Sequence, residues 1–106
     1  MVNAQDWLNQ QFPTPESKNQ VLHIKVELLG NGDRNSSETR PLSTVNPEVC
    51  HWFNAYLEGE LNLNGFTQLK SLSISGRDGF GQNLTLIDLS DCWQLEKLEL
   101  ISFATR

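Results

Sequence analysis

Two stretches of the chain match each other at one constant offset of 26 residues, and this limits the possible folds more than any other feature. Leu61, Leu63, Phe66, Leu69, Leu72 and Ile74 coincide with Ile87, Leu89, Cys92, Leu95, Leu98 and Leu100. Gln68 coincides with Gln94, and Asn62 with Asp88. Each copy holds apolar residues at positions one, four and six of a short motif, Leu69-x-x-Leu72-x-Ile74 and Leu95-x-x-Leu98-x-Leu100. An earlier segment, Val21-x-x-Ile24-x-Val26, has the same spacing 48 residues ahead of the Leu69 copy. A lone unit of this kind cannot cover its own apolar side, whereas stacked neighbours can. The expectation is that Ile24, Leu72 and Leu98 lie side by side on parallel strands. The Leu61/Leu63 and Ile87/Leu89 pairs would then pack on a returning limb.

The remaining segments are read from local signals. Asn3 can cap a helix running to Gln11, with Asp6 three residues on and Ala4, Trp7, Leu8 and Gln11 on one face. Phe12-Pro13-Thr14-Pro15 ends that helix and predicts an extended path. Val21 to Leu28 alternates Leu22, Ile24, Val26 and Leu28 with His23, Lys25 and Glu27, the period of a half-buried strand. Gly30 to Pro41 is almost devoid of apolar residues and predicts a surface loop, within a weakly specified 30–45 region. Asn46, Pro47 and Glu48 then predict a helix start. Val49, Trp52, Phe53, Tyr56 and Leu57 form its apolar stripe, and Gly59 its stop. A chain of 106 residues fits one domain, divided into a helical cap (1–20), a long first unit (21–56) and two short repeats (57–106).

A 26-residue period with an L-x-x-L-x-L core lies inside the range of leucine-rich repeats. The run Leu57 to Leu69, with Ala4-Gln5-x-Trp7-Leu8 ahead of Phe12-Pro13, resembles the N-terminal part of fungal leucine-rich-repeat proteins. The resemblance implies an α/β fold: a short, curved solenoid with parallel strands, an N-terminal capping helix and a second helix in the long first repeat. It also implies partner binding on the strand face, without catalysis by the repeats, in proteins that often carry a kinase or other signalling region. The family's asparagine three residues after the last core position is replaced by Leu29, Arg77 and Phe103.

In that register the strand-face residues form three rows: His23, Ser71 and Lys97; Lys25, Ser73 and Glu99; Glu27, Ser75 and Ile101. These nine are the candidate surface for a protein or peptide partner. The last strand, with Leu98 and Leu100, offers an uncapped edge through which a homodimer could form. The net charge of −5 and the lack of a basic cluster argue against nucleic acid and anionic membranes. The N-terminal residues lack a secretory signal pattern, and no apolar run reaches transmembrane length. Cys50 and Cys92 are too few and too far apart to indicate a disulfide framework or a zinc site, so a reduced, cytoplasmic protein without cofactor or metal is expected. The rival reading is a small hydrolase or other enzyme using Cys50 and His51, or His23 with a carboxylate. Neighbouring residues on a helix point about 100 degrees apart, which argues against the Cys50–His51 pair. Gly76 to Asn83 is glycine-rich but lacks phosphate-loop spacing and is read as a tight turn.

Overall fold

In the computed structural model, residues 2–28, 36–76 and 82–101 are described. The elements in order are β1 (Val2–Asn3), α1 (Ala4–Gln11), α2 (Pro15–Asn19), β2 (His23–Glu27), β3 (Ser36–Pro41), β4 (Val49–Asn54), β5 (Leu57–Asn62), β6 (Ser71–Ser75), β7 (Asn83–Asp88) and β8 (Lys97–Ile101). The fold is α/β, with two sheets and two helices among the described residues. One sheet has the order β1-β5-β7, all parallel. The other has the order β3-β4-β2-β6-β8, parallel except that β3 runs antiparallel to β4. From β5 onward the chain alternates between the two sheets, each new strand lying beside the one a full turn earlier.

The 26-residue offset appears as hydrogen-bond register. Leu72 pairs with Leu98 and Ile74 with Leu100 across β6 and β8, and Leu61 pairs with Ile87 across β5 and β7. Ile24 pairs with Leu72 across β2 and β6, so the three expected strands are adjacent. The turns repeat bond for bond. Asn62 Oδ1 accepts from the Asn64 N–H at 2.8 Å, and Asp88 Oδ1 from the Ser90 N–H at 2.9 Å. The Phe66 and Leu69 N–H groups donate to Leu63 and Phe66 carbonyls, as Cys92 and Leu95 do to Leu89 and Cys92. Short polar side chains that bond backbone two residues on favour such a turn over continued strand. The units are also tied together, because Asp91 Oδ2 accepts from the N–H of Gly65, 26 residues earlier, at 3.0 Å. Gly65 has φ +90°, a conformation that glycine adopts without steric cost.

The core lies between the sheets and under α1. Leu61, Leu63, Phe66, Leu69, Leu72 and Ile74 are all buried, as are Ala4, Trp7 and Leu8 of α1. Asn3 caps α1 by accepting from the Asp6 N–H at 3.0 Å. The helix packs against β1 and β5, and the Trp7 ring meets Phe53 of β4 edge to face at 5.0 Å. Gln5 of α1 accepts from the Asn62 N–H at 2.6 Å, binding the helix to the end of β5. No helix among the described residues is long and apolar enough to cross a membrane.

Three expectations are corrected. The segment after Phe12 is not extended throughout, because Thr14 and Ser17 form a capping box ahead of Pro15 and start α2. The second helix expected from Asn46 to Leu57 is instead β4 followed by β5. The Asn46 side chain accepts from the Glu48 N–H at 3.1 Å, making a turn where a helix cap was expected, and Glu48 is drawn to His23 and Lys70. Gly59, with φ +84°, stops no helix; it sits inside β5 where the register with β7 shifts. Finally, residues 36–41 of the expected loop form the edge strand β3, and residues 29–35 lie outside the described residues. Leu29, Arg77 and Phe103 also lie outside them.

Candidate functional site

The register of β2, β6 and β8 sets the expected rows. His23 pairs with Ser71 and Ser71 with Lys97; Lys25 pairs with Ser73 and Ser73 with Glu99. Ser75 pairs with Ile101, whose side chain lies outside the described part. The rows extend further than the sequence indicated, because β4 adds Cys50 beside His23, Trp52 beside Lys25 and Asn54 beside Glu27. β3 then adds Arg40 opposite Cys50, Glu38 opposite Trp52 and Ser36 opposite Asn54. Residues opposed in register project to one side of the sheet, so the outer face is a five-strand surface centred on Lys25 and Ser73.

Trp52 dominates this face. Its ring lies between the Arg40 guanidinium, 4.2 Å from the ring centre, and the Lys25 ammonium at 4.7 Å. Cations this close to the ring are attracted by its quadrupole, while its Nε1 is buried without a hydrogen-bond partner among the described residues. On one side of Trp52 a groove of about 360 Å³ runs past Leu42, Cys50, Ser71, Ser73, Lys97 and Glu99. On the other a hollow of about 340 Å³ is bounded by Glu27, Glu38, Arg40 and Asn54. Each cation on the face has a carboxylate two residues away on its own strand: Lys25 with Glu27 at 3.9 Å, Lys97 with Glu99 at 3.5 Å, and Arg40 with Glu38. Such exposed pairs contribute about 0–1 kcal/mol each. Their larger effect is to neutralise the face locally, so that it projects no strong field of either sign.

Beside the groove lies a polar cluster that supplies the carboxylate expected for His23 and adds Lys70 to it. His23 is buried, with Nδ1 2.7 Å from Ser71 Oγ and Nε2 3.0 Å from Glu48 Oε1. Glu48 Oε2 accepts from Lys70 Nζ at 2.8 Å, and Asn46 Nδ2 donates to Oε1 at 3.3 Å. Ser–His–Glu is the order of a nucleophile, a base and the group that orients the base. However, the Ser71 N–H is engaged by the Leu22 carbonyl at 3.2 Å, so the nucleophile's own amide is not free to stabilise an oxyanion. The cluster staples the 46–48 turn across β2 onto β6. These partners hold the Glu48 carboxyl at about 2, chiefly through Lys70 and then His23, and Glu48 in turn raises Lys70.

That depression fixes a pH dependence. A carboxyl with a lowered folded-state value stabilises the fold above its ordinary value of 4.5, and the contribution fades as pH falls towards about 2. The thermal midpoint of Glu48→Gln is therefore expected to lie below that of the native chain near neutrality. The gap should narrow between about pH 4.5 and about 2, and a gap constant from pH 7 to pH 2 (scanning calorimetry) would refute the staple.

Cys50 and His51 are not brought together. Neighbouring residues of a strand point to opposite faces, and His51 stacks edge-on to Phe12 at 5.3 Å. Burial pushes the Cys50 thiol up and the His51 imidazole down, the reverse of an activated thiolate and its imidazolium. Both Cys50 and Cys92 are free and buried. Among the described residues no group of three or more His, Cys, Asp or Glu could hold a metal ion. Of the glycine-rich loop, residues 77–81 lie outside the description, and Gln82 is a buried anchor whose part in the fold sequence reading missed. No protein family, curated protein or solved structure matches the chain.

Proposed function

We propose that the chain is a non-catalytic interaction module, a short solenoid of leucine-rich repeats that binds an extended segment of a protein partner across its outer strand face. The observation that carries this reading is the register that lines up Lys25, Ser73 and Glu99, and Ser71 with Lys97, on adjacent parallel strands beside a groove, while His23 of the same face is buried under the 46–48 turn. The groove combines hydroxyls, paired charges and the Trp52 edge. A locally neutral face of this kind favours a polar, uncharged peptide over nucleic acid or an anionic bilayer. The free thiols of Cys50 and Cys92 support a reduced, cytoplasmic setting.

The hydrolase alternative has less support, because the Cys50–His51 pair is split across the sheet and Ser71 lacks its own amide for an oxyanion. A photo-crosslinking residue at Ser73 is expected to capture one discrete partner, whereas the same residue at Glu60 on the other sheet captures none. Ser73→Tyr fills the groove while suiting a strand, so it should abolish competition by unlabelled protein yet leave the thermal midpoint within about 2–3 °C. Equal capture from positions 73 and 60, or full competition by Ser73→Tyr, would remove the strand face as the binding site.

A further inference from the structure

Among the described residues β8 and β7 are the outermost strands of their sheets, so there both sheets are open at the same end of the stack. The repeat measures what that opening leaves uncovered. Leu72 and Ile74 are 1% and 0% exposed under the unit that follows them, whereas Leu98 and Leu100, their equivalents one repeat later, are 44% and 45% exposed. The backbone is open too. The Lys97 N–H bonds to the Lys70 carbonyl of the segment leading into β6 at 3.1 Å. Alternation along a strand then directs the N–H and C=O of Leu98 and Leu100 to the free edge.

We propose that this end pairs with the same end of a second copy, β8 against β8 antiparallel, with Leu98 opposite Leu98 on the two-fold axis. A two-fold contact of one edge with itself must be antiparallel and self-complementary. The free hydrogen-bonding groups allow three registers within the strand: Leu98 opposite Leu98, Leu98 opposite Leu100, or Leu100 opposite Leu100. The second sets Glu99 against Glu99 in a closely spaced pair, where like charges repel. The third sets Glu99 against Ile101 and matches neither charge. The first sets each Lys97 against the other copy's Glu99, turning the 3.5 Å pair within one strand into two pairs between chains. Leu100 then faces Glu96, a smaller penalty than two opposed carboxylates. The contact shares Lys97 and Glu99 with one rim of the groove and uses none of its Leu42, Cys50 or Ser73 lining.

Sedimentation velocity of the full chain at low ionic strength is expected to show a monomer–dimer equilibrium. Lys97→Glu makes both interchain pairs repulsive and should weaken association by roughly tenfold or more, and Lys97→Glu with Glu99→Lys should restore it. Mild oxidation of Leu98→Cys should link two chains across the axis, where opposed Cα atoms lie within disulfide reach. A chain that stays monomeric at every concentration overturns the proposal. So does a double charge swap no tighter than Lys97→Glu, or cross-linking through Leu100→Cys but not Leu98→Cys.

Discussion

Phe66→Ala is expected to lower the unfolding free energy by about 3–5 kcal/mol, the range for removing a buried aromatic ring. Phe66 is fully buried, and its ring meets Phe12 edge-on at 5.4 Å. Phe12 in turn touches Phe53 at 6.0 Å and His51 at 5.3 Å, so one aromatic chain joins the α1–α2 connection, β4 and the turn between β5 and β6. Truncation leaves a cavity and also loosens the helical cap from the stack. Against a total stability of about 5–15 kcal/mol, that is a large fraction. Cys92 supplies an internal control, because it occupies the equivalent place one repeat later and is already small and 8% exposed. Cys92→Ala should cost roughly 1 kcal/mol by the same accounting. Urea titrations measure both, and a Phe66→Ala loss no larger than that of Cys92→Ala would show that the first turn can collapse around the missing ring.

The strands β2, β6 and β8 were legible because two signals agree there. Alternation gives the strand, and the repeated spacing gives its neighbour; Ile24, Leu72 and Leu98 are adjacent in consequence. Asn3 and α1 were legible because a cap is a local interaction. The segment 49–57 misled because its spacings carry both periods. Val49, Phe53 and Leu57 stand four apart, which suits one face of a helix and equally one face of a strand. Only Trp52 and Tyr56 pointed to the helix, and Trp52 instead lies on the outer face between two cations. The aromatic and β-branched content of Val49-Cys50-His51-Trp52-Phe53 was the better guide.

β3 left no apolar trace, since all six of its residues are exposed and its ladder to β4 uses backbone alone. Pro41 fits such an edge, where a missing N–H costs no central hydrogen bond. The outer-face pairings were legible for His23 with Ser71 and Lys25 with Ser73. Their continuation through Trp52 and Arg40 was not, because it depends on where a non-repeating hairpin docks. In the His23–Ser71–Glu48 cluster the repeat set His23 beside Ser71, 48 residues on, but the carboxylate stayed unnamed, because Glu48, 25 residues from His23, arrives on the turn read as a helix cap.

The second large effect is expected at Gln82, which sequence reading left among the turn formers of a glycine-rich loop. Its side chain is fully buried and answers three backbone groups at once. Oε1 accepts from the Leu57 N–H at 2.8 Å, while Nε2 donates to the Ala55 carbonyl at 2.8 Å and the Ser75 carbonyl at 3.2 Å. These groups belong to the β4–β5 connection, the start of β5 and the end of β6, none of which bonds another there through its own backbone ladder. Gln82→Leu keeps the volume but strands the Leu57 donor and the Ala55 acceptor away from water. The cost should be about 2–6 kcal/mol, since each of the two buried groups left unsatisfied costs about 1–3 kcal/mol. Gln82→Glu separates hydrogen bonding from shape. Ionised, it retains the acceptor for Leu57, loses both donors and buries a charge; protonated, its O–H can donate to Ala55 again. A buried carboxyl has a raised folded-state value, so protonation favours the fold and the variant should gain on the native chain as pH falls from 7 towards 5. Unfolding titrations at the two pH values decide it: if Gln82→Leu matches the native chain, or Gln82→Glu shows no such recovery, the three bonds are not what holds this corner together.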